Sequence, residues 1–188
     1  MKYISILRGI NVSGQKKIKM VDLKALYEAQ GLKSVVTYIQ SGNVIFETKS
    51  ANKSDLKKSL EKAIEDKYAF HVPVDIRTNP ELKDILDNCP YEEAKSEENG
   101  TKVLVTFLQS TPSIQKQELL LDYAKSPERL AIQGGEVYLY CPNGYGKSKL
   151  TNTFIENKLG ISATTRNWKS VKKLYELSTL LMSHITKR

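Results

Sequence analysis

One order of elements can be read twice along this chain, and that repetition limits its fold more than any single motif. In the first copy Tyr3–Leu7 is a strand-length apolar run, followed by the polar loop Arg8-Gly9-Ile10-Asn11-Val12-Ser13-Gly14-Gln15-Lys16-Lys17. Met20, Leu23, Leu26 and Tyr27 recur at helical spacing and Gly31 ends that helix. Strands over 35–40 and 44–47 flank Ser41-Gly42-Asn43, a hairpin signal. Leu56, Leu60, Ala63, Ile64 and Tyr68 then form an amphipathic helix, and 72–76 reads as a strand whose Pro73 points to a sheet edge. Asn79-Pro80-Glu81 caps a further helix with Leu82, Ile85 and Leu86 inward, which Cys89-Pro90 ends.

The polar, acidic stretch 91–101 reads as a linker, after which the same order returns. Residues 103–108 are a strand, Thr111-Pro112 opens a helix, and strands over 130–133 and 137–140 flank Gly134-Gly135. Leu150, Phe154, Ile155 and Leu159 mark the next helix, and Val171, Leu174, Tyr175 and Leu181 a final one. The pattern repeats although the residues do not. It predicts an α+β chain of two tandem ferredoxin-like (alpha-beta plait) subdomains with mainly antiparallel sheets, over 1–92 and 100–188, the second with an extra C-terminal helix.

That topology assigns the loops to rims. With the first strand running up, the loop after it and the hairpin between strands two and three share one end of the sheet. Arg8, Asn11, Gln15 and Lys16 should therefore lie beside Ser41, Gly42 and Asn43. In the second copy, Gly144-Tyr145-Gly146-Lys147-Ser148-Lys149 follows a strand that runs down. A fourth strand over 161–165 would bring Arg166, Asn167 and Trp168 to the same end. Each half would then own one polar, glycine-bearing rim.

Glycines let backbone N–H groups approach a ligand, and a helix N-terminus offers unpaired N–H groups to an anion. Lys147, Ser148 and Lys149 before one helix and Arg166, Asn167 and Trp168 before the next predict an anion site, with the three cations converging. Gly146-Lys147-Ser148 matches only the end of a phosphate-binding P-loop, because the glycine required five residues earlier is Cys141. Capping alone would explain Asn167, packing would explain Trp168, and a plain surface position would explain Arg8. Tyr138 and Tyr140 could stack nucleic-acid bases, although the aromatic signature of RNA-binding sheets is absent.

Catalytic constellations are weak. His71 and His184 are the only histidines and neither has a serine or cysteine partner in sight. Acidic residues concentrate on helices and in the linker, which argues against a two-metal or paired-carboxylate site, so no metal ligands are assigned and no cofactor is identified. Cys89 and Cys141 are far apart in sequence and suit a reducing cytoplasm. No signal peptide and no apolar window of membrane-spanning length occurs, so no membrane partner is expected. The formal charge of +8 favours acidic partners.

Leu7-Arg8-Gly9-Ile10-Asn11-Val12, Thr37-Tyr38-Ile39-Gln40-Ser41-Gly42-Asn43-Val44, Gly146-Lys147-Ser148-Lys149-Leu150 and Thr164-Thr165-Arg166-Asn167-Trp168 occur in that order. Together they resemble a bacterial family of uncharacterised proteins, the domain of unknown function 1697. The resemblance spans nearly the whole chain and implies two tandem alpha-beta plaits, but no activity. Ser13 stands where the family pattern has a second glycine, which stiffens the first loop.

The expectation for function is a cytoplasmic protein that binds a phosphate-bearing ligand, a nucleotide or nucleic acid, through Arg8, Asn11, Ser41, Asn43, Lys147, Ser148, Lys149, Arg166, Asn167 and Trp168. The alternatives are an enzyme on a small anionic metabolite, with Arg8 and Lys147 holding charge and Asn11 or Asn43 orienting substrate, and a protein-interaction scaffold. The oligomeric state is not legible in the sequence.

Overall fold

The computed structural model describes residues 1–49 and 51–183, with side chains as far as Leu180; His184 and the Leu181 side chain lie outside the described residues. The first half runs β1 (Lys2–Leu7), α1 (Met20–Ala29), β2 (Lys33–Tyr38), β3 (Asn43–Glu47), α2 (Lys53–Tyr68), β4 (Val74–Thr78) and α3 (Asn79–Asp87). A 3-10 turn over Glu92–Lys95 leads to β5 (Val103–Leu108), α4 (Ile114–Leu121), β6 (Arg129–Gln133) and β7 (Glu136–Tyr140). A second 3-10 turn, Tyr145–Lys147, precedes α5 (Asn152–Leu159), β8 (Ala163–Asn167) and α6 (Trp168–Ser183).

The two sheets have orders β2-β3-β1-β4 and β6-β7-β5-β8, with every neighbouring pair antiparallel. This is the ferredoxin-like βαββαβ order in both halves, as the repeated pattern predicts. β4 is an edge strand, and Pro73 lies just before it, where its missing N–H breaks no ladder bond.

In the first unit one sheet face packs on α1 and α2. Tyr3, Leu7, Val44 and Phe46 from the strands meet Leu23, Leu26, Tyr27, Leu60 and Ile64 from the helices, all buried. Burial of each such side chain contributes about 1.5–3 kcal/mol. Ser5 points to the same face and is tolerated because its hydroxyl pairs with that of Tyr27 at 2.8 Å. Ile4 and Ile6, on the other face, are also fully buried, which is why β1 reads as a continuous apolar run rather than an alternating one. The second unit repeats the arrangement with Leu104, Leu108, Val137 and Leu139 against Leu120, Ile155 and Leu159.

The compact units are Met1–Lys83 together with the chain from Lys173, and Asp84–Lys172. The acidic stretch 91–101 reads as a linker from its charge, yet Tyr91, Ala94 and Gly100 are buried, and the Tyr91 hydroxyl donates to Tyr138 O at 3.4 Å. In the first unit, Asn79 Nδ2 donates to Ser178 Oγ at 2.7 Å and Thr179 Oγ1 at 2.9 Å, and Lys2 Nζ donates to Ser178 O at 3.3 Å. These bonds hold the later part of α6 to that unit. The helix following β4 is capped by Thr78 rather than Asn79. Glu81 Oε2 accepts from Thr78 N at 2.8 Å while Thr78 Oγ1 accepts from Glu81 N at 3.5 Å, a reciprocal capping box.

Candidate anion-binding rims

The first rim is assembled by backbone and side-chain bonds across three loops. Leu7 N donates to Gly42 O at 2.8 Å, and Arg8 N donates to Pro73 O at 2.9 Å. Asn11 Nδ2 donates to Ile18 O at 2.9 Å and to Gln40 O at 2.8 Å, while its Oδ1 accepts from Ile18 N at 2.9 Å. Asn11 therefore ties the ends of its own loop to each other and to the β2–β3 hairpin. The first loop meets the β2–β3 hairpin at Leu7–Gly42 and Asn11–Gln40, while Arg8 N turns to Pro73 O, and the Asn11 amide spends its donors and an acceptor on the fold. Asn43 is fully buried and its Nδ2 donates to Tyr38 O and Ser41 Oγ. Both asparagines are braces of the rim in this conformation.

The loop is tight because of its backbone. Val12–Gln15 closes with Gln15 N to Val12 O at 2.9 Å, and Ser13 and Gly14 have φ of 49° and 76°, the type I′ arrangement. Gly42, at φ 77°, is required twice over: a Cβ there would sit 2.5 Å from Ile10 Cδ1 and 2.9 Å from Leu7 Cβ. Ile39 takes φ 52°, an outlier for a β-branched side chain, and is 46% exposed. Val12 at the loop tip is 59% exposed.

The sequence leading into α1 is one-sided in charge, while in space Glu65 Oε2 stands 3.9 Å from the Nδ1 of His71, the residue whose carbonyl accepts from Lys16. Residues 1–21 contain Lys2, Arg8, Lys16, Lys17 and Lys19 and no carboxylate before Asp22. Lys16 Nζ donates to His71 O at 2.7 Å and stands 6.0 Å from the Phe70 ring centre. Lys17 and Lys19 are exposed and flank Ile18, which is buried. α1 starts immediately after, with Lys19 at its N-cap position and no side chain capping it. A cation there opposes the positive end of the helix dipole by about 0.3–1 kcal/mol, which Asp22 in the first turn offsets in part. Lys17, Lys19, Val12 and Ile39 were not singled out from the sequence, although the acid-free opening of the chain was a readable signal for the lysines.

The second rim is built differently. Lys147 and Lys149 are exposed, and each of the two helices that follow carries a side-chain cap on one first-turn N–H group. Ser148 Oγ accepts from Leu150 N at 3.0 Å, Thr151 Oγ1 caps α5 at Phe154 N, and Asn167 Oδ1 caps α6 at Ser170 N. Lys169 N donates to Gly100 O at 3.1 Å. β8 extends to Asn167, two residues beyond the expected strand end at 165, so Arg166 is a strand residue paired with Val105. It is 8% exposed, and Nη1 donates to Thr165 O at 2.9 Å. Strand alternation puts Arg166 on the face opposite Thr165 and Tyr145, whose hydroxyls bond at 3.4 Å. Trp168 is 4% exposed, which makes its ring an interior packing group. Tyr138 is 1% exposed and cannot stack a base, and the Tyr140 ring is covered by the Arg129 guanidinium at 4.4 Å.

Chemistry for catalysis is sparse. Burial pushes the Cys141 thiol up to about 11, with a hydrogen bond from Ser148 offsetting only part, and Cys89 is raised as well, so neither is an activated nucleophile. His71 lies in the loop before β4. Among the described residues no group of histidine, cysteine and carboxylate side chains could hold a metal ion, and no helix is long and apolar enough to cross a membrane.

The model of the family DUF1697, described as proteins of unknown function, matches residues 1–138. The chain belongs to this family. Its fold is similar to that of the conserved bacterial protein SP0830 from Streptococcus pneumoniae, with a TM-score of 0.72 and 22% identity over 94% of this chain and 98% of that one. At that identity the likeness to the pneumococcal protein speaks to the fold alone. No curated protein matches the chain in sequence.

Proposed function

We propose that the protein binds a phosphate-bearing ligand, a nucleotide or nucleic acid, at the first rim. The observation that carries this reading is the run Lys16, Lys17 and Lys19 leading into an α1 start that no side chain caps, in a stretch with no carboxylate before Asp22. Like charges held together on a braced loop repel one another and the helix dipole. An anion relieves both repulsions and gains charge-assisted hydrogen bonds. Arg8 and Ser41 border the same rim, while Asn11 and Asn43 hold its shape. Lys147 and Lys149 offer charge next to a helix start that Thr151 already caps, which favours the uncapped first rim over the second.

Titration calorimetry at low salt with pyrophosphate and a nucleoside triphosphate tests the proposal. Wild-type protein should bind, and Lys17→Ala with Lys19→Ala should weaken binding at least tenfold, whereas Lys147→Ala with Lys149→Ala should change it less than twofold. Equal binding by all three proteins would refute the assignment.

A further inference from the structure

The edge strands of the two sheets are finished differently. Val74 N of β4 donates to Glu61 Oε1 at 2.9 Å, and Ala163 N of β8 donates to Glu156 Oε1 at 2.8 Å, so a helix carboxylate covers part of each edge. β2 is bent by a register shift between Lys33 and Val36, with Ser34 at φ 50°. Bulges and side chains of this kind stop a sheet edge from pairing with another chain. Among the described residues β6 carries neither device, and its pairing with β7 runs unshifted from Arg129 to Gln133. Gln133 and Glu136 flank the two-residue turn Gly134-Gly135, and such a pair exchanges both backbone bonds. Ala131 and Arg129 therefore also turn their N–H and C=O groups to β7, while Leu130 and Ile132 turn theirs outward. The helix beside this edge is apolar on its open side. Lys116 of α4 donates to Leu159 O of α5, and Leu120 is buried in the core. Ile114 and Leu121, 69% and 42% exposed, fall on one stripe of α4 roughly 140–160° around from Lys116, the side away from α5.

We propose that β6 is where a second copy of this chain docks, strand against antiparallel strand about a two-fold axis through Ala131. The strand is its own complement in this register. Leu130 of each copy exchanges both backbone bonds with Ile132 of the other, which are the residues whose groups point outward, and Ala131 faces Ala131. Arg129 lies opposite Gln133 of the other copy, with Glu136 one strand further in, so no like charges are opposed. Residues 126–146 contain no lysine, which keeps repulsion along this strand low in a chain of net charge +8. The Ile114–Leu121 stripe of each copy then flanks the joined sheet and loses its exposure to water.

Sedimentation equilibrium of the full chain tests this. A strand pair with two flanking side chains is a small interface, so a reversible dimer should appear between about 10 μM and about 1 mM. Ala131→Lys sets two ammonium groups against each other at the axis and should weaken the dimer by about tenfold or more. Ile114→Ser with Leu121→Ser should weaken it several-fold. Hydrogen exchange of the wild-type protein gives a readout that no variant can spoil by misfolding. The Leu130 and Ile132 amides should gain protection as concentration rises, while Ala131, already bonded to β7, should not change. A chain that stays monomeric at about 1 mM would overturn the proposal. So would exchange at Leu130 and Ile132 that ignores concentration, or an Ala131→Lys variant that keeps the wild-type circular dichroism spectrum and dimerises like wild type.

Discussion

The two rims use the same kinds of residue, glycines, lysines and asparagines beside a helix start, yet they spend them differently. In the second rim Ser148, Thr151 and Asn167 turn back onto the backbone, the last two capping α5 and α6. In the first rim Asn11 and Asn43 brace the loops, and the start of α1 is left to lysines. One rim has its helix starts capped by its own side chains, and the other is braced but leaves the start of α1 without a side-chain cap. A lysine beside a glycine loop therefore says little until the destination of each backbone N–H is known.

The largest difference between the rims should appear on adding a methyl group. Gly42→Ala forces an L residue into φ 77° and drives Cβ into Ile10 and Leu7. A loss of about 2–4 kcal/mol is expected in urea denaturation, combining left-handed strain with overpacking. Gly144→Ala, at φ 92° and ψ 140° with nothing within 4 Å of the new Cβ, should lose about 1–3 kcal/mol from backbone strain without the overpacking. Equal losses would break the claim that the first rim is the tightly braced one.

Asn11→Ala removes three bonds and should cost about 1–3 kcal/mol, against about 1 kcal/mol for Asn167→Ala, which removes a helix cap. Protection of the Ile18 amide from hydrogen exchange should fall in the first variant alone. Lys17→Ala with Lys19→Ala should leave stability within about 0.5 kcal/mol of wild type, or raise it slightly, because the lysines oppose the α1 dipole. A marked destabilisation would mean that the lysines serve the fold instead of a ligand.

The caps themselves give the smallest contrast. Burial pushes the Glu81 carboxyl up, but bonds from Lys53 and Thr78 and the Lys53 charge outweigh it and hold the group below its ordinary value of 4.5. Its folded pKa is depressed, so its stabilisation is present above the unfolded value and is lost as pH falls through the folded one. Glu81→Gln should flatten the acid limb of the stability–pH curve by a few tenths of a kcal/mol, the group being half-exposed. The neutral caps Thr151 and Asn167 in the second unit should show no such dependence.

Nearly all of the architecture was legible in the sequence because apolar periodicity and turn residues survive twice over. Strand ends slipped where polarity misled: Arg166 and Asn167 look like a loop, yet β8 runs through Asn167 at a sheet edge that tolerates polar residues. The segment 91–101 misled in the same way, since four glutamates hide the buried Tyr91. The first rim was readable as a meeting of loops, because strand direction dictates it. The roles within it were not, because asparagine is equally suited to bind a ligand or the backbone and only geometry separates the two.

The direct test of the central claim is an amide chemical-shift titration of the protein with inorganic phosphate at low ionic strength. The account predicts saturable shifts at Lys16–Leu23 and at Gln40–Gly42, with Gly146, Ser148 and Ser170 unmoved. Shifts confined to Gly146, Ser148 and Ser170, with the start of α1 silent, would contradict it.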